Sequence, residues 1–204
     1  MQQLGLSCIP CLMLHNFDEY DCDREHMRIV FDELKQAGKI RFSGISAYAH
    51  HDYRVIAASG FDAAQIPLNI FDWRQIDNGG LDALRASDMM IFVRSVYLQG
   101  LVFQTPEQLD PRMEFARQTL VSFRSLCGKY ALAPAELALS FALSLPGVTS
   151  LVLGSETAEQ VRQNVDLLDR TARLSEAQLN EIHTLFRDVP ERLLNPSEWF
   201  NAQK

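Results

Sequence analysis

Val148–Leu168, "VTSLVLGSETAEQVRQNVDLL", decides the fold. Its first half is a β-branched and apolar run that stops at Gly154, as a strand does at a turn. Its second half carries Thr157 and, three positions on, Gln160, the spacing of a capping box whose side chains satisfy the free N–H groups of a helix start. Val161, Val165 and Leu168 then recur on one helical face. A strand that passes at once into an amphipathic helix is the repeating unit of a parallel sheet, because the helix must carry the chain back before the next strand can begin.

The same pairing recurs upstream. Ile9–Leu14 reads as a strand, and Arg24–Ala37 places Met27, Val30, Phe31 and Leu34 at helical spacing with Gly38 just beyond, where a C-cap glycine belongs. "KIRFSGIS" is a second strand with a short helix over Asp52–Ala58, "AAQIPL" a third, and "MMIFVRS" a fourth after a short helix over Leu81–Ala86. A helical region over Arg112–Leu145, broken at Ala133-Pro134, precedes the fifth. A second capping box, Ser175 to Gln178, opens a last helix through Leu179, Ile182 and Leu185. The tail, residues 189–204, lacks periodicity and reads as an irregular, frayed end or a loop over a site. The expected fold is α/β, about five parallel βα units in one domain spanning residues 1–204.

Composition narrows the function classes. A chain of 204 residues, 47% hydrophobic and 22% charged, buries a sizeable core as one globular domain. A net charge of −7 without clustered Lys or Arg argues against nucleic-acid or anionic-membrane binding. The apolar run Leu4–Leu14 lacks the preceding basic residue and small-residue cleavage site of a signal peptide, which reads as cytoplasmic. Cys8, Cys11, Cys22 and Cys127 read as free buried thiols, and His26, His50 and His51 lack zinc-site spacing, so no metal is expected. Neither a Walker loop nor G-x-G-x-x-G follows any strand.

Ligands of parallel sheets bind at the carboxyl ends of the strands. Read in order, those ends carry His15, Ser46, Gln65 with Asn69 nearby, Arg94-Ser95, and Gly154-Ser155. One polar residue at a strand exit is an ordinary loop residue; the whole series points to a pocket. The last exit has two readings: the helix start after "GSET" binds an anion such as phosphate, or it is simply capped.

Taken together, "LKQAGKIRFSGIS", "QIPLNIFD", "RSVYLQGLV", "APAELALSFALSLPGV" and "VLGSETAEQVRQNVDLL" resemble, in order, segments of bacterial aldo-keto reductases over Leu4 to about Phe186. The resemblance implies part of a (β/α)8 TIM barrel, NADPH or NADH as cofactor, and hydride transfer to a small-molecule carbonyl, with sugar-related carbonyls the subgroup association. It gives His15 the role of the histidine that hydrogen-bonds the carbonyl. It gives Ser46 and Gln65 the nicotinamide carboxamide, with Ala47 where the family has asparagine, a missing bond of about 0.5–1.5 kcal/mol. Arg94 falls where many members stack an aromatic on the nicotinamide, and its charge would disfavour the nicotinamide cation. Ser95, Gly154, Ser155, Gln160, Gln163 and Asn164 are expected along the rest of the cofactor, Asn164 at the adenine. Gly154 and Gln160 stand where many members have basic residues for the 2′-phosphate, which leaves Arg162 and implies NADH preference or weak discrimination between the two nucleotides.

The family's proton-donor tyrosine, with its lysine and aspartate, belongs to barrel units absent from this sequence, and no tyrosine here takes that role by motif. A closed barrel needs eight strands and typically about 250 residues. Three readings follow: a truncated or mis-started reductase, which is favoured; a chain whose barrel is completed by self-association or by another chain supplying the strands; or a non-catalytic nucleotide-binding protein derived from the family.

Overall fold

The computed structural model describes residues 2–200. Five strands form one sheet in chain order. β1 (Ile9–Leu14) pairs in parallel with β2 (Ile40–Ser46), β2 with β3 (Ala63–Pro67), and β3 with β4 (Met90–Arg94); β5 (Val148–Val152) lies beside β4. The single-domain expectation meets a chain whose contacts gather into two compact units. One takes in the chain as far as Pro67, Gln75–Arg94 and Gly147–Leu151; the other takes Leu68–Arg74, Ser95–Pro146 and the chain from Val152.

The first unit holds the sheet. Its central strands are dry: Ile45, Ala63, Ala64, Ile66, Ile91 and Val93 have no exposure at all. Gly44 makes this packing feasible, because a Cβ there would sit 2.8 Å from Met13 Cγ and 3.1 Å from the Ala63 carbonyl oxygen. The outer strands differ. No residue of β1 or β5 is fully buried; each is an outer strand of the sheet, with one edge unpaired among the described residues. α1 (Phe17–Cys22), α2 (Arg24–Gln36), α3 (Tyr53–Ala57), α4 (Arg74–Asp77) and α5 (Gly80–Ala86) follow their strands, and side chains of Asn16, Asp23 and Asp52 cap the first three. α1 and α4 were not legible as helices, being only 6 and 4 residues long. Lys35 of α2 and both the backbone and hydroxyl of Ser43 converge on Asp62, at 2.6, 2.7 and 2.9 Å.

The second unit is built around aromatic rings. Phe71 meets Phe123 of α6 (Arg117–Tyr130) and Phe186 at 5.3 and 5.1 Å, both edge-on, and Trp73 meets Phe141 of α7 (Pro134–Ser144) at 5.2 Å. The break expected at Ala133-Pro134 is present: Ala131 ends α6 with φ 54° and Pro134 opens α7. α8 (Ala158–Arg170) and α9 (Glu176–Phe186) both start with the expected capping boxes. α8 buries only Leu167, however, and its apolar stripe is open: Val161, Val165 and Leu168 are 51%, 53% and 36% exposed.

The tail is more ordered than its composition implies. α10 (Glu191–Leu194) forms, Trp199 is buried and donates to the Leu193 carbonyl at 3.0 Å, and Arg192 holds the carbonyls of Glu198 and Trp199. Leu193, with no exposure, and Trp199 together supply the burial that the rest of the segment lacks. Residues 201–204 lie outside those described. The thiols are unpaired as expected, yet only Cys127 is buried; Cys8 and Cys11 are half-buried and Cys22 is exposed. No single helix among the described residues is long and apolar enough to cross a membrane.

Candidate active site

In the first unit the parallel register puts the polar strand ends together. Ser46, the last residue of β2, lies directly opposite Gln65 in the pairing with β3, and Arg94 ends β4 opposite Pro67. Gln65 therefore sits within its strand and not past its end. His15 follows β1 and is exposed. His15, Ser46, Gln65 and Arg94 line one cavity of about 420 Å³ with Met13, Leu14 and Tyr48, within the range of small-molecule sites.

The Arg94 side chain is held from two directions. Its Nη2 donates to the Ala47 carbonyl at 3.0 Å, and its guanidinium carbon lies 5.1 Å from the centre of the Tyr48 ring. Tyr48 is 41% exposed and belongs to the cavity wall, a residue that sequence reasoning passed over. Its position two residues beyond Ser46 was the available signal. Ala47, where the family asparagine was expected, has no exposure, and its backbone N–H donates to the Gln65 carbonyl at 2.9 Å. Asn69, by contrast, is buried and accepts from the Phe71 N–H at 3.0 Å, shaping a turn in the second unit.

Asp18, His50 and His51 bring ligand-capable atoms within 4.8 Å of one another. His51 has no lone pair to spare: the Tyr48 backbone N–H donates to its Nδ1 at 3.0 Å, so the ring proton is on Nε2 and faces Asp18 Oδ1 at 3.1 Å. The cluster is a hydrogen-bonded structure in this arrangement.

The second unit groups the residues expected for the distal half of a cofactor. The half-buried Tyr97 hydroxyl, its pKa pushed up to about 12 by partial burial, donates to Asn164 Oδ1 at 3.0 Å. The Asn164 amide in turn donates to Ser155 Oγ at 3.1 Å. This chain fixes which face of the amide is donor and which is acceptor. Gln160 is committed to the helix cap, its Oε1 accepting from the N–H groups of Glu156 and Thr157 at 2.6 and 3.3 Å. Arg162 and Gln163 both turn to Glu159, at 3.2 and 3.3 Å. Gly154 and Ser155 are exposed. Ser95 opens a turn in which Ser95, Leu98, Gln99 and Gly100 all have left-handed φ of 63°, 51° or less for the next two, and 81°. Three of these carry a Cβ, and such local strain collects where a loop is held for a purpose.

Parallel strands in chain order with a polar cavity at their ends define an α/β protein of the (β/α)8 type, represented here by part of the barrel. The profile of the Aldo/keto reductase family matches residues 1–186, and the chain belongs to that family. It is 28% identical over 210 residues to an NADH-specific methylglyoxal reductase of Escherichia coli (95% of this chain, 62% of the relative), and 26% identical over 166 residues to the uncharacterized oxidoreductase YqkF of Bacillus subtilis (76% and 53%). Among solved structures, the aldo-keto reductase AKR11C1 from Bacillus halodurans superposes with a TM-score of 0.73 at 22% identity, over 95% of this chain and 68% of that one. The thermostable aldo-keto reductase Tm1743 gives 0.67 at 17%, over 90% and 62%. The chain thus spans 62% and 53% of the length of the curated relatives it matches.

Proposed function

We propose that this chain carries the carbonyl- and nicotinamide-binding side of an NAD(P)H-dependent carbonyl reductase. The observation that carries this reading is the convergence of His15, Ser46, Gln65 and Arg94 on one cavity. His15 orients the carbonyl oxygen, the Ser46–Gln65 pair holds the carboxamide, and Arg94, fixed by Ala47 and Tyr48, lies against the nicotinamide ring. When bound, the cofactor supplies the hydride. The Tyr97–Asn164–Ser155 chain offers an oriented amide and a hydroxyl for the adenine half. NADH is the favoured cofactor: Gly154 and Gln160 carry no charge, Arg162 is paired with Glu159, and one relative is NADH-specific. Methylglyoxal, the substrate in that relative's name, and other small 2-oxoaldehydes are the first carbonyls to try. Four unpaired cysteines favour the cytoplasm.

No residue of the cavity matches the family's proton donor, and general-acid catalysis contributes roughly 10²–10⁴ in rate. Turnover by these residues alone is therefore expected to be weak. A second reading, supported by the open stripe of α8 and the unpaired edges of β1 and β5, is that further βα units of the kind the longer relatives contain complete the barrel.

Thermal unfolding with and without NADH or NADPH tests the reading. Nucleotide at about 100 times its dissociation constant adds roughly 2.7 kcal/mol, a rise of a few degrees at this size. A midpoint that neither nucleotide moves at millimolar concentration would sink it.

A further inference from the structure

Residues 47–51 form a turn tied from within by one imidazole and from outside by Gln75. The Tyr48 N–H donates to His51 Nδ1 at 3.0 Å, the His51 N–H returns to the Tyr48 carbonyl at 3.2 Å, and Nε2 reaches across to Asp18 of α1. The ring is 5% exposed and packs 4.9 Å from Phe17. From α4, the Gln75 amide donates to the carbonyls of Ala49 and His51 at 2.7 and 3.1 Å. The far side of this turn is the cavity wall, where the Ala47 carbonyl and the Tyr48 ring together hold Arg94.

The bond at Nδ1 exists only while the imidazole is neutral. A backbone N–H can only donate, so Nδ1 must keep its lone pair, and the neutral ring meets that need with its proton on Nε2. A second proton would arrive at Nδ1 and set two donors against each other. The charged groups facing the ring are Asp18 and Asp21 from α1 and His50 from the turn itself, whose ring lies 4.2 Å away. Burial and then His50 disfavour the cation and outweigh the two carboxylates, holding the ring neutral to lower pH than an ordinary histidine.

We propose that His51 is a positioning residue for the cavity: as the neutral Nε2–H tautomer it latches the Tyr48 backbone, and its protonation lets go of the wall that places Arg94. The role of that wall in holding nicotinamide rests on the function proposed above; the latch itself does not.

The test is imidazole and amide NMR on the full chain between about pH 5 and pH 8, without ligand. The expected result is an Nε2–H tautomer for His51 at neutral pH, with the Tyr48 amide and the Arg94 Nε–H resonance, which feels the Tyr48 ring, moving together with the His51 titration below about pH 6.5. His51→Gln, which keeps an acceptor but cannot titrate, should abolish that joint movement. His51→Phe, which keeps the packing and loses the acceptor, should speed exchange of the Tyr48 amide about tenfold at neutral pH. An Nδ1–H tautomer, or Tyr48 and Arg94 resonances indifferent to the His51 titration, would overturn the proposal. If the resonances move as expected and no nucleotide binds, the latch stands and the proposed function fails.

Discussion

The Tyr97 hydroxyl donates to Asn164 Oδ1 at 3.0 Å, joining the strained turn after β4 to the second turn of α8 across 67 positions of sequence. Without that bond the Asn164 amide keeps its donation to Ser155 Oγ but loses the donor that fixes its acceptor side. Tyr97→Phe is expected to weaken nucleotide binding by about 2- to 10-fold, the effect of one hydrogen bond, with little change in the unfolding midpoint. Titration calorimetry beside a melt separates the two quantities. Unchanged affinity would remove Asn164 from the cofactor site.

Gln65→Met keeps the volume of a cavity side chain opposite Ser46 and removes its amide. We expect the dissociation constants of NADH and NADPH to rise by the same factor, about 2- to 10-fold, because the carboxamide is common to both. A change confined to one nucleotide would place Gln65 elsewhere than at nicotinamide.

Gly44→Ala tests the packing beneath the cavity. The new methyl would meet Met13 Cγ at 2.8 Å and the Ala63 backbone at 3.1 Å. Met13 can yield and the carbonyl cannot, so a loss of about 1–3 kcal/mol is expected from denaturant unfolding.

Acid stability has a definable sign at Asp62. Burial raises its pKa, but the bonds from Lys35 and Ser43 outweigh that, and the net shift is downward. A carboxylate with a depressed folded pKa adds stability above its unfolded value near 3.9 and loses it as pH falls through the lower folded value. Asp62→Asn should therefore flatten the fall in unfolding midpoint below about pH 5 and lower the midpoint at neutral pH. An identical acid limb in both proteins would assign the loss to other groups.

The open stripe of α8 predicts a dissociation between stability and association. Val165→Lys replaces a side chain that is 53% exposed, so the chain alone should change by no more than about 0.5 kcal/mol. If further βα units complete the barrel, the same substitution should weaken their association, as measured by sedimentation of the chain with a polypeptide carrying the relative's remaining units. Equal association of both forms would remove α8 from the contact, and a homodimer of the chain alone would favour self-association instead.

Sequence alone determined the order of the strands and of the longer helices, the parallel sheet, both capping boxes and the family. These follow from local causes: the period of apolar residues, the residue types that satisfy helix ends, and a break at a proline. It also named His15, Ser46 and Arg94, because strand ends are readable from hydropathy, and Gln65, which lies inside β3 but near its end. Tertiary structure decided what those residues do to one another. That Ser46 faces Gln65 is a matter of register, which pairing between strands sets. That Arg94 rests on Tyr48, that His51 holds the Tyr48 backbone, and that Gln160 is occupied by its own cap depend on contacts between side chains or turns that no local pattern encodes. The exposed face of α8 is the sharpest case. Its periodicity declared an apolar stripe, but whether that stripe meets a partner depends on which other segments of polypeptide are present to cover it.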